Sequence, residues 1–115
     1  MGTVIGAVEF TLGSEDPVEL QLLKDDGVTP IGSLSGITAL TLLLVDADGT
    51  ETEITTNFSV SDAALSKVKL SQVAAQFTAA KRYSYKVKFK DSGGKQKFVP
   101  DGNLWYTWQV FAITP

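Results

Sequence analysis

The stretch 34–50, LSGITALTLLLVDADGT, constrains the chain more than any other. It is the most apolar run and ends in the clearest turn, Asp46-Ala47-Asp48-Gly49. Leu40, Leu42 and Leu44 alternate with Ala39, Leu43 and Val45, so both faces of an extended strand are apolar, as in an inner strand covered on two sides. A buried helix could carry the same run. The flanking glycines, the lack of helix-capping residues and the Asp-Gly turn favour the strand. The turn leads into 51–55, where Glu51, Glu53 and Thr55 alternate with Thr52 and Ile54, a hairpin with one solvent face.

The other segments read as neighbours of this strand. Residues 4–12 are rich in β-branched and aromatic residues, with Gly6 interrupting, and read as an edge strand. Val18, Leu20 and Leu22 share one face of a half-buried strand over 18–24. Residues 57–61 and 67–70 are further short strands around a loop at 62–66. Residues 71–80 differ: Ser71 is placed to cap, and Val73, Ala74 and Phe77 fall on one helical face, which predicts one short helix or helical turn. Residues 82–91 alternate cleanly, with Tyr83, Tyr85, Val87 and Phe89 against Ser84, Lys86, Lys88 and Lys90. Ser92-Gly93-Gly94 turns the chain, 95–100 returns antiparallel, and 104–113 closes as a strand that is apolar on both faces. Seven to eight short strands with regularly spaced turns and no βαβ alternation predict an all-β, antiparallel, immunoglobulin-like β-sandwich in a single domain over 1–115.

Composition removes whole classes of chemistry. The 115 residues contain no Cys and no His, so disulfides, thiol catalysis, Cys-ligated zinc and every His-based triad are excluded. With a formal net charge of −3, nucleic-acid binding is not expected. The longest unbroken apolar run, 42–45, is far short of a membrane span, and the start carries no signal-peptide pattern.

The remaining motifs each have a plain alternative. Asp46-Ala47-Asp48-Gly49 opens like a calcium loop, but Thr50, Thr52 and Asn57 stand where the loop needs its later ligands and Gly comes too early. A hairpin turn is the better reading, and likewise for Asp25-Asp26-Gly27, so no metal or other cofactor is expected. Glu51 and Glu53 share a face, yet their threonine-rich setting reads as solvated rather than catalytic. No catalytic residue is assigned, and the chain is not expected to be an enzyme. Two groups are candidates for partner binding. Lys86, Lys88 and Lys90, joined by Lys95 and Lys97, form a basic ribbon that either binds an anionic polymer or an acidic partner protein, or is a solvated face that discourages edge pairing. Trp105, Tyr106 and Trp108 lie within four residues, with Tyr106 and Trp108 on one strand face and Trp105 on the other. At least one of those faces is core. The other would leave aromatic area in water, a contact patch whose edge a partner strand could also extend.

The order of features over most of 18–113 resembles the N-terminal immunoglobulin-like domain of phage baseplate upper proteins. The run LQLLKDDGVTPIGSLSG at 20–36 carries an Asp-Gly turn, then Pro, then Leu-Ser-Gly before the apolar strand, which ends in the second Asp-Ala-Asp-Gly hairpin. The Tyr-rich strand at 82–91 and its return through Phe98-Val99-Pro100 are also similar. Residues 71–80 are longer than that pattern expects, and residues 1–115 themselves include no coiled-coil or receptor-binding region, as expected of either a stand-alone tail protein or an excised domain. The resemblance implies a non-enzymatic structural component of a phage or prophage tail, made in the bacterial cytoplasm and carried in the virion. Its partners would be other tail or baseplate proteins, or further copies of itself. The alternative is a carbohydrate-binding or adhesin-type module that uses Trp105, Tyr106 and Trp108.

Overall fold

A computed structural model of the chain describes residues 3–4, 7–24, 26–77 and 79–112. It is a β-sandwich. Among the described residues the strands are β1 (Thr3–Val4), β2 (Val8–Thr11), β3 (Val18–Gln21), β4 (Thr38–Asp46), β5 (Glu51–Ile54), β6 (Phe58–Asp62), β7 (Lys67–Leu70), β8 (Arg82–Lys90), β9 (Gln96–Val99) and β10 (Tyr106–Phe111). One helical turn, α1 (Val73–Gln76), lies between β7 and β8. One sheet has the order β1-β3-β7-β6, and the other β2-β10-β8-β4-β5 with β9 also paired to β8. If β1 and β2 are taken as one divided first strand, this is the strand order of an immunoglobulin-type sandwich.

Most pairings are antiparallel, as expected, but each sheet has a parallel pair at one edge. β1 runs parallel to β3, and β2 runs parallel to β10. The segment 4–12 is therefore not one edge strand. It contributes to both sheets, and the interrupting Gly6 lies outside the described residues.

The core forms where alternation from both sheets meets. Leu20 and Leu22 face Leu42, Leu44, Tyr85, Val87 and Phe89, all buried, while Leu40 and Tyr83 pack at the margin. Val8, Phe10, Val68, Leu70, Val73, Phe77, Trp108 and Val110 complete it. β8 is the middle strand of its sheet, and β4 is an inner one, between β8 and the edge strand β5. It is not covered by a layer on both faces, however, and Leu43 and Val45 are only half-buried. A sandwich buries one face of each sheet. Near its start β4 also breaks register between Thr38 and Thr41, where Ala39 adopts a positive φ of 54°. That local bulge is invisible in the hydrophobic pattern.

The helical turn is shorter than the 71–80 expected. Its cap is not Ser71, whose amide instead donates to the Asn57 carbonyl. The residue before the turn is Gln72, in left-handed conformation and without a side-chain cap bond. Val73 and Phe77 are nevertheless both buried, although Phe77 lies past the turn in extended backbone and so shares no helical face with Val73.

Candidate protein-contact surface

β8 has two edges, and its partners divide them. β4 pairs along nearly its whole length, from Tyr83 to Lys90. The opposite edge is shared: β10 pairs with residues 82–85 of β8, and β9 pairs with 87–90. β9 and β10 therefore continue along one line, and residues 100–105 leave that line and come back. Pro100 follows a cis peptide bond and Gly102 takes a positive φ of 66°, which only a residue without a Cβ adopts freely.

This excursion lies over the outer face of the sheet, and Lys86 fastens it there. The Lys86 ammonium donates to the Gly102 carbonyl at 2.6 Å. It also sits 4.8 Å from the centre of the Trp105 ring and 6.0 Å from that of Phe98. Only 6% of Lys86 is exposed, so an outward-facing lysine is covered by the loop it holds. Against it Trp105 and Phe98 remain 40% and 38% exposed, and Leu104, next to Trp105 in sequence, is 59% exposed. A cation on an aromatic face with little water around it is a stronger contact than an exposed one. The result is an apolar ledge on a fixed base.

The residues singled out from sequence thus separate. Trp105 is on the ledge. Tyr106 is half-buried and packs on Tyr85 with ring centres 5.6 Å apart. Trp108 has no exposed surface and is not available to a partner. It lies among Phe10, Phe77 and Tyr85 at centre distances of 6.1, 5.4 and 5.4 Å, with its indole N–H unpaired among the described residues. Burial, and secondarily Tyr106, pushes the Tyr85 hydroxyl above its ordinary pKa. Nor is β10 a free edge open to a partner strand, because β2 pairs along its outer side.

The lysine ribbon divides as well. Lys86 is consumed by the loop. Lys88 donates to both Glu53 carboxylate oxygens, at 3.1 and 3.4 Å. Lys90, Lys95 and Lys97 are exposed. Sequence reasoning missed Phe98 and Leu104, the larger part of the ledge. Their signals were weak: an outward phase in a short return strand, and an apolar residue directly after Asp101-Gly102-Asn103.

The acidic turns are occupied by their own backbones. Asp46 accepts from the amides of Asp48 and Thr50, at 2.9 and 3.0 Å. Asp26 accepts from the amides of Val28 and Thr29, both at 2.8 Å, and from the Thr29 hydroxyl at 2.5 Å. Asp91 accepts from the amides of Gly93 and Lys95, both at 2.9 Å. These bonds favour the charged carboxylate. Asp26 is lowered to about 2, chiefly by the Thr29 hydroxyl. Asp46 is lowered mainly by the Thr50 amide, and Asp91 mainly by the Lys95 amide. Asp25 lies outside the described residues, and among those described no cluster of three or more acidic side chains is arranged to hold a metal. Glu51 and Glu53 sit on the exposed face of β5, Glu53 engaged by Lys88.

No protein-family model matches the chain and no curated protein is significantly similar to it in sequence, so its surface is read from its own chemistry.

Proposed function

We propose that the protein is a non-enzymatic structural or assembly domain of a phage or prophage tail or baseplate, acting through protein–protein contacts. The observation that carries this reading is the ledge of Phe98, Leu104 and Trp105. Large apolar side chains held rigidly in water on an otherwise well-packed sandwich mark a contact surface. Tryptophan is prominent among the residues that dominate such contacts. The immunoglobulin-type strand order and the sequence resemblance supply the tail context. In that setting the protein would be carried in the virion.

The test is binding to purified phage tail and baseplate proteins, with wild type compared with Trp105→Ser and Leu104→Ser. Both variants should keep their fold and lose most of the binding. A wild-type chain that binds none of those proteins and stays monomeric at high concentration would overturn the reading. The second reading, a glycan-binding module, retains one observation in its favour: the half-exposed Trp105 ring beside Phe98, an arrangement on which a sugar ring can stack. Saturable glycan binding that Trp105→Ser abolishes would establish it in place of the first.

A further inference from the structure

We infer that the free edge of β9, with the groove beside it, takes up an extended acidic peptide segment from a partner protein. This surface adjoins the ledge and shares Phe98 with it, but it does not use Trp105 or Leu104 and does not rest on the tail assignment. β9 is paired on one side only, to β8. The adjoining β10 has β2 along its outer side, but among the described residues no strand covers β9. An uncovered edge presents backbone donors and acceptors to any extended chain of suitable side chains.

A groove of about 330 Å³ runs between β9 and the segment 31–37. Leu34, Phe89 and Val99 form its buried floor, and the half-buried Ile31 and Ile37 its rim. The wall opposite β9 is anchored. The buried Ser66 hydroxyl donates to the Gly32 carbonyl at 2.5 Å and accepts from the Gly32 amide at 3.1 Å, and the Leu34 amide donates to the Ala63 carbonyl at 2.9 Å. The groove is therefore a fixed part of the fold and has room for an aliphatic side chain.

Charge selects the occupant. Lys90, Lys95 and Lys97 surround this edge and form no ion pair among the described residues. Asp91, which lines the groove, stays charged through the backbone hydrogen bonds of its own turn and interacts with Lys97 and Lys95, which leaves three lysines against one carboxylate. The edge is thus basic on a chain whose net charge is −3. A second copy pairing β9 to β9 would bring lysines together, the usual means by which edges avoid self-association. An acidic strand meets no such repulsion.

Register makes the occupant more specific. Lys97 pairs with Phe89 and Val99 with Val87, so Lys97 and Val99 point to the groove side. A strand added to β9 would place a carboxylate opposite Lys97 and an aliphatic residue opposite Val99, two positions apart. The groove receives the aliphatic residue.

A dye-labelled peptide Thr-Glu-Thr-Ile-Thr-Glu-Thr carries that spacing in either direction. Its binding is measured by fluorescence anisotropy, with amide hydrogen exchange of the bound protein as a second readout. The expected result is saturable binding that slows exchange within 96–99. Lys97→Glu, at an exposed position, should weaken binding by about tenfold or more through charge repulsion. Trp105→Ser should leave it unchanged, so failure of the ledge reading and failure of this one are separable. No saturable binding, equal binding of the same peptide with Lys for Glu, or protection confined elsewhere would overturn the proposal. So would slowed exchange at 96–99 that appears with rising protein concentration alone, which would give the edge to a second copy.

Discussion

Trp105 and Trp108 stand three residues apart and occupy opposite environments. Trp108 is enclosed by Phe10, Phe77 and Tyr85, from three different parts of the chain. Trp105 rests on a single lysine and is 40% exposed. Trp108 lies inside β10, where pairing to β8 and β2 fixes which face is inward. Trp105 lies just before β10, in the excursion that Lys86 ties down. A large aromatic residue thus serves the core where two ladders hold it, and serves the surface where a side chain alone does.

The sharpest way to break this comparison is to remove each ring. Trp108→Ala should destabilise by about 3–5 kcal/mol, the usual cost of emptying a core aromatic site. Of a total near 5–15 kcal/mol, that is a large share. Leu42→Ala, at another fully buried position, should cost about 2–5 kcal/mol. Trp105→Ala should lie much lower, because little of its surroundings would collapse. Denaturant melts of the three variants provide the check. Equal losses at Trp105 and Trp108 would mean that the ledge is part of the core.

Lys86 is the next test. Lys86→Met keeps the apolar stem but loses the bond to Gly102 and the charge beneath Trp105. The exposed Gly102 carbonyl can then turn to water, so the expected loss is only about 1 kcal/mol, near that of one ordinary hydrogen bond. The larger effect should be on order at Trp105. In a Trp108→Phe background, its emission should shift to the red and its near-ultraviolet dichroism should fall. An unchanged spectrum would show that the excursion is held by something other than Lys86.

Most of the sandwich was legible because its signals are local. The phase of β8, the hairpin after Asp46 and the inward set Leu20, Leu22, Leu42 and Leu44 follow from alternation and turn chemistry. That Tyr106 and Trp108 share a face was readable from strand period, but which face is core was not, and Trp105 lies outside β10. What alternation does not encode is which strand lies beside which. Nothing local shows that residues 3–11 divide between two sheets, or that β2 seals the edge of β10 and leaves β9 open. The burial of Lys86 was hidden for the same reason. Its cover comes from residues 102 and 105, and a lysine on the outward face reads as solvated until that loop is placed.

Acid should act on neither tryptophan directly, but on the turns. The Asp26 carboxylate is lowered to about 2 in the folded chain. An unfolded aspartate titrates near 3.9, so the contribution of Asp26 is fully present above about pH 4 and is lost as pH falls toward 2. Asp46 and Asp91 act in the same direction. Asp26→Asn should be less stable than wild type at neutral pH, and the gap should close across that acid window. A gap that stays constant with pH would assign the effect to shape rather than charge.

The smallest effect is expected at Lys88, two residues along β8 from Lys86 on the same outward face. Both lysines find an oxygen, but in different surroundings. Lys86 meets a carbonyl beneath aromatic cover, whereas Lys88 meets the Glu53 carboxylate where both side chains remain partly exposed. An ion pair in that position contributes about 0–1 kcal/mol, and salt screens it further. Glu53→Ala should therefore change stability by no more than about 0.5 kcal/mol, and less in high salt. The Lys86 contact should be much less sensitive to salt, since only 6% of Lys86 is exposed. Melts of Glu53→Ala and Lys86→Met at low and high ionic strength compare the two directly. If Lys86→Met proved the salt-sensitive variant, water would have access beneath Trp105, and the ledge would lose its fixed base.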